Sequence, residues 1–486
     1  MKKLRVCLAL AAVAALLLGC SGPSDRKVII VSTNDTHAAI EVFPQLTTLI
    51  DSLRRTGAPV VLVDAGDWTT GNPYADLFPR RGAPQIELMN ALGYDLATLG
   101  NHEFDNGIDT LALRLSEARF GVISANMHTN GSMPGLPPYK IIDAGPLRLG
   151  FLGLITVAEG GHPEGFRSSF GRATFDDPIG TAKKYACIKD SCDILIALSH
   201  LGFEKDSMLA TAVPQIEMII GGHSHTILPE GRWIGGGLAA GGTFITQTGS
   251  KLRYAGVTTL TVGKEGHITN VEFCLVDLSK LVPNPEIAQM VAYYKNNPRF
   301  TQVVGEAADY FGKNALMSLY ADALRAGTGA DVAVTNRGGV RIDYLNPGPV
   351  TRGDIFMLEP FGNKAVVVPM SEARIREMIL EKFNSEGKEG HSIELWPSGM
   401  RYSVTTDARG EGKDVKLHIA AAGHGSVYRV AMSDYVQSAL LSTDSSADNG
   451  AAIAPITSLI EKYLAARTPL RPDTVARAFV RRPAER

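Results

Sequence analysis

Five short apolar runs, each leading into a knot of Asp, Asn and His, constrain this chain more than any other feature. Residues 28–32, 60–63, 96–99, 194–198 and 218–220 are rich in Val, Ile and Leu and read as buried strands. Between the first two, Leu46, Leu49, Ile50 and Leu53 fall on one face of a helix that stops near Gly57. Strands alternating with helices predict a layered α/β domain over residues 27–276. In such sheets the loops at the carboxyl ends of the strands converge on one rim. Residues far apart in sequence are thereby brought to one place.

The knots at that rim are Asn34-Asp35-Thr36-His37, Asp64-Ala65-Gly66-Asp67, Gly100-Asn101-His102-Glu103-Phe104-Asp105, Ser199-His200 and Gly221-Gly222-His223-Ser224-His225. Imidazole mixed with carboxylate suits Zn or Mn, with Fe also compatible, rather than the all-oxygen sites of Ca or Mg. Asp35, His37, Asp67, Asn101, His200, His223 and His225 make seven ligand-type groups, more than one tetrahedral ion can use. Two divalent ions sharing one carboxylate would use them all, and paired ions are the arrangement for in-line phosphoryl hydrolysis. A single Asp at a strand end is commonly a turn or helix cap. It is the concentration that carries weight, because five of the 11 histidines lie in these knots. His128, His162, His267, His391, His418 and His424 lack such neighbours and read as structural or surface residues. The spacing of His102 and Asp105 lets a carboxylate hold an imidazole in one orientation and support its charged form.

The chain has 486 residues, room for two or three domains. Its 48 Lys and Arg against 50 Asp and Glu leave a net charge of −2, which gives no footprint for a nucleic-acid polymer. A small anionic substrate would have its charge met locally. At the N-terminus, Lys2, Lys3 and Arg5 precede an apolar run over 6–18, too short to span a bilayer. Leu17-Leu18-Gly19-Cys20 follows, with the look of a bacterial lipobox. These features predict a lipoprotein signal peptide over 1–19, lipid attachment at Cys20, a tether over 20–26, and export to a periplasmic or cell-surface face of a bacterial membrane. Beyond Cys7 and Cys20 remain Cys187, Cys192 and Cys274, which lack zinc-ligand spacing. Cys187 and Cys192 are the nearest pair, and a bridge between them stands open against burial as small hydrophobes.

Residues 277–306 hold Pro283, Pro285 and Pro298 around a helical stretch, and read as a connector. A second patterned region follows over 307–486, with its own strands at 331–335 and 364–368.

The order Asp-x-His, Gly-Asp, Gly-Asn-His-Glu-x-Asp, His and Gly-His-x-His resembles the calcineurin-like metallophosphoesterases. The variants Thr33-Asn34-Asp35-Thr36-His37, Asn101-His102-Glu103-Phe104-Asp105 and Gly222-His223-Ser224-His225 are similar to those of the 5'-nucleotidase family in particular. The resemblance implies a four-layer sandwich derived from βαβ units, followed by an α+β substrate-binding domain. It assigns Asp35, His37, Asp67 and His225 to a first ion, and Asp67, Asn101, His200 and His223 to a second, with Asp67 shared. It makes His102 and Asp105 a catalytic dyad beside the metals. One departure is Ala38, where the family commonly has glycine after the histidine.

The second region also resembles that family, in its C-terminal substrate domain. Asn336-Arg337-Gly338-Gly339-Val340-Arg341 is similar to its Asn-x-Gly-Gly-x-Arg element, and Pro360-Phe361-Gly362-Asn363 to its Pro-Phe-Gly-Asn element. Asn336, Arg341, Phe361 and Tyr435 are the substrate-binding candidates this implies. Arg341 can fork onto phosphate or carboxylate, and Phe361 can stack on a base. Two departures stand here. Ser433-Asp434-Tyr435-Val436-Gln437 and the stretch after it lack the family's Gly-Gly-Asp-Gly run, and no arginine stands before Gly312-Lys313-Asn314-Ala315-Leu316. The resemblance implies hydrolysis of nucleoside 5'-phosphates, with domains that rotate to bring the substrate to the metals. Cyclic nucleotides, nucleotide sugars or other phosphate esters are the alternative substrates. A binding lipoprotein without turnover is the alternative from another class.

Overall fold

The computed structural model describes residues 26–263, 268–385, 392–419, 427–441 and 452–481. The signal-like segment, Cys20, His267, His391 and His424 lie outside them. The chain divides into two compact units, the first ending at Asn296 and the second starting at Asn297.

The first unit is built on two six-stranded sheets. In one, Arg26–Thr33, Val60–Asp64, Leu96–Thr98 and Gly121–Ile123 run parallel, and Tyr254–Val262 and Ile268–Asp277 extend the edge antiparallel. In the other, Leu147–Ile155, Ile194–His200, Met218–Gly221 and Thr243–Thr246 are parallel, with antiparallel strands Tyr139–Ala144 and Arg232–Ile234 at the two edges.

Strand alternation sorts the side chains into layers. Val28, Ile30, Val61 and Val63 meet Leu149, Phe151, Ile196 and Leu198 between the two sheets. Their neighbours Ile29, Val31 and Leu62 point the other way, onto the helices Phe43–Arg54, Ala83–Leu92 and Ile108–Glu117. From the second sheet Leu152, Leu195 and Ile219 bury against Pro178–Tyr185 and Phe203–Ala212. Full burial of each such side chain is worth about 1.5–3 kcal/mol. The result is the expected four layers, helix, sheet, sheet and helix. Among the described residues no helix is long and apolar enough to cross a membrane.

The stretch read as a connector divides instead of linking. Its helix, Pro285–Lys295, is capped by the Asn284 side chain on the Glu286 and Ile287 N–H groups. It buries Ile287, Val291 and Tyr294 in the core of the first unit, and the Tyr294 hydroxyl donates to Glu87 at 2.5 Å. The apolar face of that helix needs a surface to cover, so the helix belongs to the first unit, and the passage between units falls at Asn296–Asn297.

The second unit is α+β. A mixed five-stranded sheet runs Leu395–Ser398, Val332–Asn336, Val427–Ser433, Lys364–Ser371 and Ala454–Pro455. A three-stranded sheet is formed by Gly412–Ile419, Met400–Thr406 and Ala478–Arg481. The long helix Lys313–Thr328 buries Leu316, Leu319, Tyr320 and Leu324 in one core. Glu372–Asn384 buries Ile375, Met378 and Ile379 in another.

Candidate metal centre

All five knots sit at strand ends of the first unit: after Thr33, Asp64, Thr98 and Gly221, and at His200, the last residue of Ile194–His200. Glycine lets these loops close up. A Cβ on Gly66 would lie 2.7 Å from the Gly100 nitrogen and 2.8 Å from His200 Nδ1, and one on Gly222 would lie 2.8 Å from the same Nδ1. No ordinary side chain fits at either place. The price of the tight turns falls on the ligand candidates themselves, since Asp35, His37, Asp67, His223 and His225 all have positive φ, from 46° to 73°. Left-handed backbone costs a non-glycine residue about 1–2 kcal/mol. Ala38 shares the strain at φ 52°, which is the physical reason a glycine suits that position.

Two groups of ligand atoms form there. Asp35, His37 and His225 bring one atom each within 4.8 Å of one another, and so do Asp67, His200 and His223. His37 and Asp67 also group with His102, so Asp67 faces both sets. Asn101 Oδ1 is 3.1 Å from His223 Nδ1.

The donor chemistry fits divalent metal. His200 Nδ1 donates to the Ala65 carbonyl at 2.7 Å, which leaves the Nε2 lone pair pointing inward. That buried Nε2 makes no hydrogen bond, although Asp67 Oδ2 lies 3.1 Å away and Asp35 Oδ1 4.0 Å away. A lone pair facing two carboxylates needs a cation, whether a proton or a metal ion. His37 repeats the pattern. Its Nδ1 is bonded to the Thr70 carbonyl at 2.9 Å, and its Nε2 faces His225 Nε2 at 3.1 Å.

The electrostatics agree. Burial alone would raise the Asp35 carboxyl, but His225 and His200 outweigh it and hold the pKa near 2. Asp67 is likewise held well below the usual range, with His200 and His102 overcoming its burial. Burial opposes a charge on His200, yet Asp67 and Asp35 lift it to about 10.

His102 is placed by its backbone N–H, which donates to Asp67 Oδ1 at 2.8 Å. Its Nδ1 pairs with Asp105 Oδ2 at 2.7 Å.

Several supporting residues had no role in the sequence reading. Glu103, inside the Asn-His-Glu motif, is buried and accepts the N–H groups of Asp67, Thr69 and Gly100 at 2.9, 3.0 and 2.6 Å. Burial and the neighbouring Asp67 push its pKa up to about 7. Asn34 donates to Asp35 Oδ2 at 2.7 Å and accepts from the Thr248 N–H and hydroxyl. Gln247 ties the His223–His225 turn through Gly222 O, Ser224 Oγ and Thr226 N. Glu164, outside every motif, puts Oε1 3.6 Å from His223 Nε2. Glu103 and Asn34 carried a signal, as polar residues inside ligand motifs, whereas Gln247 and Glu164 carried none.

In the second unit, Asn336 ends the strand Val332–Asn336, and its side chain occupies the space a Cβ on Gly339 would need, with Oδ1 2.5 Å from it. The Arg341 guanidinium lies over the Phe361 ring, 5.5 Å from its centroid. The loop carrying Phe361 is held by buried Glu359, which accepts from Gly362 N at 3.1 Å and Asn363 Nδ2 at 2.8 Å. Tyr435 is the second residue of the helix Asp434–Leu441 and packs half-buried on the cluster containing Val332 and Val436. Cys187, Cys192 and Cys274 are free thiols, so the open bridge between the first two is not formed, and Cys187 is exposed rather than buried.

Residues 29–226 match the family model for calcineurin-like phosphoesterases, and residues 291–440 match that for the 5'-nucleotidase C-terminal domain. The trifunctional nucleotide phosphoesterase protein YfkN of Bacillus subtilis is 26% identical over 84% of this chain, which spans only 31% of that relative's length. A 5'-nucleotidase of Vibrio cholerae is 28% identical, with 76% of this chain and 79% of the relative covered. Among solved structures, a 5'-nucleotidase precursor from Thermus thermophilus superposes with a TM-score of 0.81 at 23% identity, covering 93% of this chain and 99% of the other. With both domain models matched in order and the fold shared along nearly the whole chain, the protein belongs to the 5'-nucleotidase family of metallophosphoesterases.

Proposed function

We propose that this protein hydrolyses nucleoside 5'-phosphates at a site for two divalent ions, in which Asp35, His37, Asp67 and His225 hold one ion and Asp67, Asn101, His200 and His223 the other. The observation that carries the reading is the pair of ligand groups, Asp35–His37–His225 and Asp67–His200–His223, linked by His37, which also groups with Asp67. Paired divalent ions in such a site activate water and neutralise phosphoryl oxygens, and Zn or Mn suits the mixed imidazole and carboxylate donors.

The protein's own groups do the rest. Asp105 holds His102 Nδ1–H at 2.7 Å and supports the imidazolium, so Nε2–H is the donor for a phosphoryl oxygen or for the departing alcohol. In the second unit, Arg341 supplies a forked cation and Phe361 a flat apolar face. The names of the relatives above support nucleotide substrates. The test is to strip the purified protein of metal and reload it with Zn2+ or Mn2+. About two ions per chain and metal-dependent release of phosphate from nucleoside monophosphates are expected. One ion per active chain would overturn the two-ion site, and faster turnover of cyclic nucleotides or nucleotide sugars would move the substrate class.

The proposal extends to export and a lipid on Cys20, supported by the order of basic, apolar and lipobox-like segments over residues 1–20. Cys20→Ser should then move the protein from the membrane fraction to the soluble one. Unchanged membrane association would refute the anchor.

A further inference from the structure

Glu164 lies on the loop between the strand Leu147–Ile155 and the short helix Arg167–Phe170. That loop has a fixed shape. Ala158 N and Gly161 N close its outer turn through His162 O and Ala158 O, both at 2.9 Å. The His162 ring lies 5.0 Å from that of fully buried Phe170. Gly165, at φ 148°, follows Glu164 where an added Cβ would press to 3.3 Å on Phe170. Lys205 Nζ reaches Thr156 Oγ1 and Val157 O at the root, each at 3.4 Å.

The loop delivers one carboxylate to the metal centre. Glu164 Oε1 is 3.6 Å from His223 Nε2, and its Oε2 is buried without a hydrogen-bond partner. The opposite nitrogen of the same ring, Nδ1, is 3.1 Å from Asn101 Oδ1. His223 therefore turns one nitrogen towards another ligand of the second ion and the other towards a carboxylate. The two fully buried histidines use weaker acceptors for their outer nitrogens, His37 the Thr70 carbonyl and His200 the Ala65 carbonyl.

We propose that Glu164 is a positioning residue of the second metal site. Its carboxylate, 3.6 Å from His223 Nε2, favours the tautomer that carries its proton there and binds the ion through Nδ1, and strengthens the hold of that imidazole on the metal. A carboxylate behind a ligating histidine raises its basicity, and loss of such a partner costs about 10- to 100-fold in metal affinity. The inference rests on the two-ion reading above.

The test is direct Mn2+ titration of the metal-free full-length protein, comparing wild type with Glu164→Gln and Glu164→Ala. One of two ions should bind about 10- to 100-fold more weakly in Glu164→Ala and less so in Glu164→Gln, which keeps an acceptor without the charge, while the other ion holds its affinity. The thermal midpoint of the metal-free protein should not move. Unchanged affinity for both ions would overturn the role of Glu164. Equal weakening of both together with a lower midpoint would also overturn it, by making the residue a support of the fold. A single ion in the wild type would instead overturn the two-ion reading and the inference with it.

Discussion

At the scale of single residues, the candidate site is where the chain departs from comfortable geometry. Five of its ten non-glycine residues with positive φ among the described residues are metal-ligand candidates. At about 1–2 kcal/mol each, that strain rivals the whole margin by which a domain is stable. It persists because Glu103, Asn34 and Gln247 hold the turns from behind through several hydrogen bonds each. His102 has a different position. Its ring is close enough to His37 and Asp67 to share a metal ion with them, yet its Nδ1 is taken by Asp105. If it acts on the substrate, His102→Ala should lose roughly 10²-fold or more in kcat while metal analysis still finds both ions. Loss of an ion together with activity would make it a ligand.

At the scale of elements, the strands and the knots behind them were legible for a simple reason. A strand buried on both faces must be apolar throughout, so runs such as Val60–Asp64 and Ile194–His200 announce themselves. A polar cluster abutting such a run has to stand at the sheet rim. The helix Pro285–Lys295 was visible as a helix, but its docking was not. Prolines at both ends suggested a linker, whereas Ile287, Val291 and Tyr294 form a stripe whose partner surface comes from residues over two hundred positions earlier. Periodicity tells which face is buried and says nothing about what buries it. The same limit hid Glu164 and Gln247. Both sit outside ligand motifs, and both reach the site only because distant loops fold back to His223 and its neighbours. Sequence spacing carries no trace of such returns, while Glu103 was at least printed inside a motif. The free thiols make a similar point, since proximity in sequence between Cys187 and Cys192 did not become a bridge.

At the scale of the whole molecule, the candidates for chemistry and the candidates for recognition lie in separate stretches. Every metal-ligand candidate and the His102–Asp105 pair precede Asn296, whereas Asn336, Arg341, Phe361 and Tyr435 follow Asn297. A division of this kind predicts separable kinetics, because a group that only holds the far end of a substrate changes affinity, and a group at the phosphorus changes turnover. Phe361 is the sharper probe of the two aromatic candidates. The Arg341 guanidinium lies over its ring, while Tyr435 is partly spent on the cluster around Val332 and Val436. A base stacked on an aromatic side chain is worth about 1–3 kcal/mol, which is roughly 5- to 150-fold in binding. Phe361→Ala should therefore raise KM for a nucleoside monophosphate by about that factor, with little change in kcat. For a ring-free alkyl phosphate, which offers nothing to stack, both constants should stay near wild type. If KM moves equally for both substrates, Phe361 supports the loop rather than the base, and if neither moves, Phe361 does not touch the substrate.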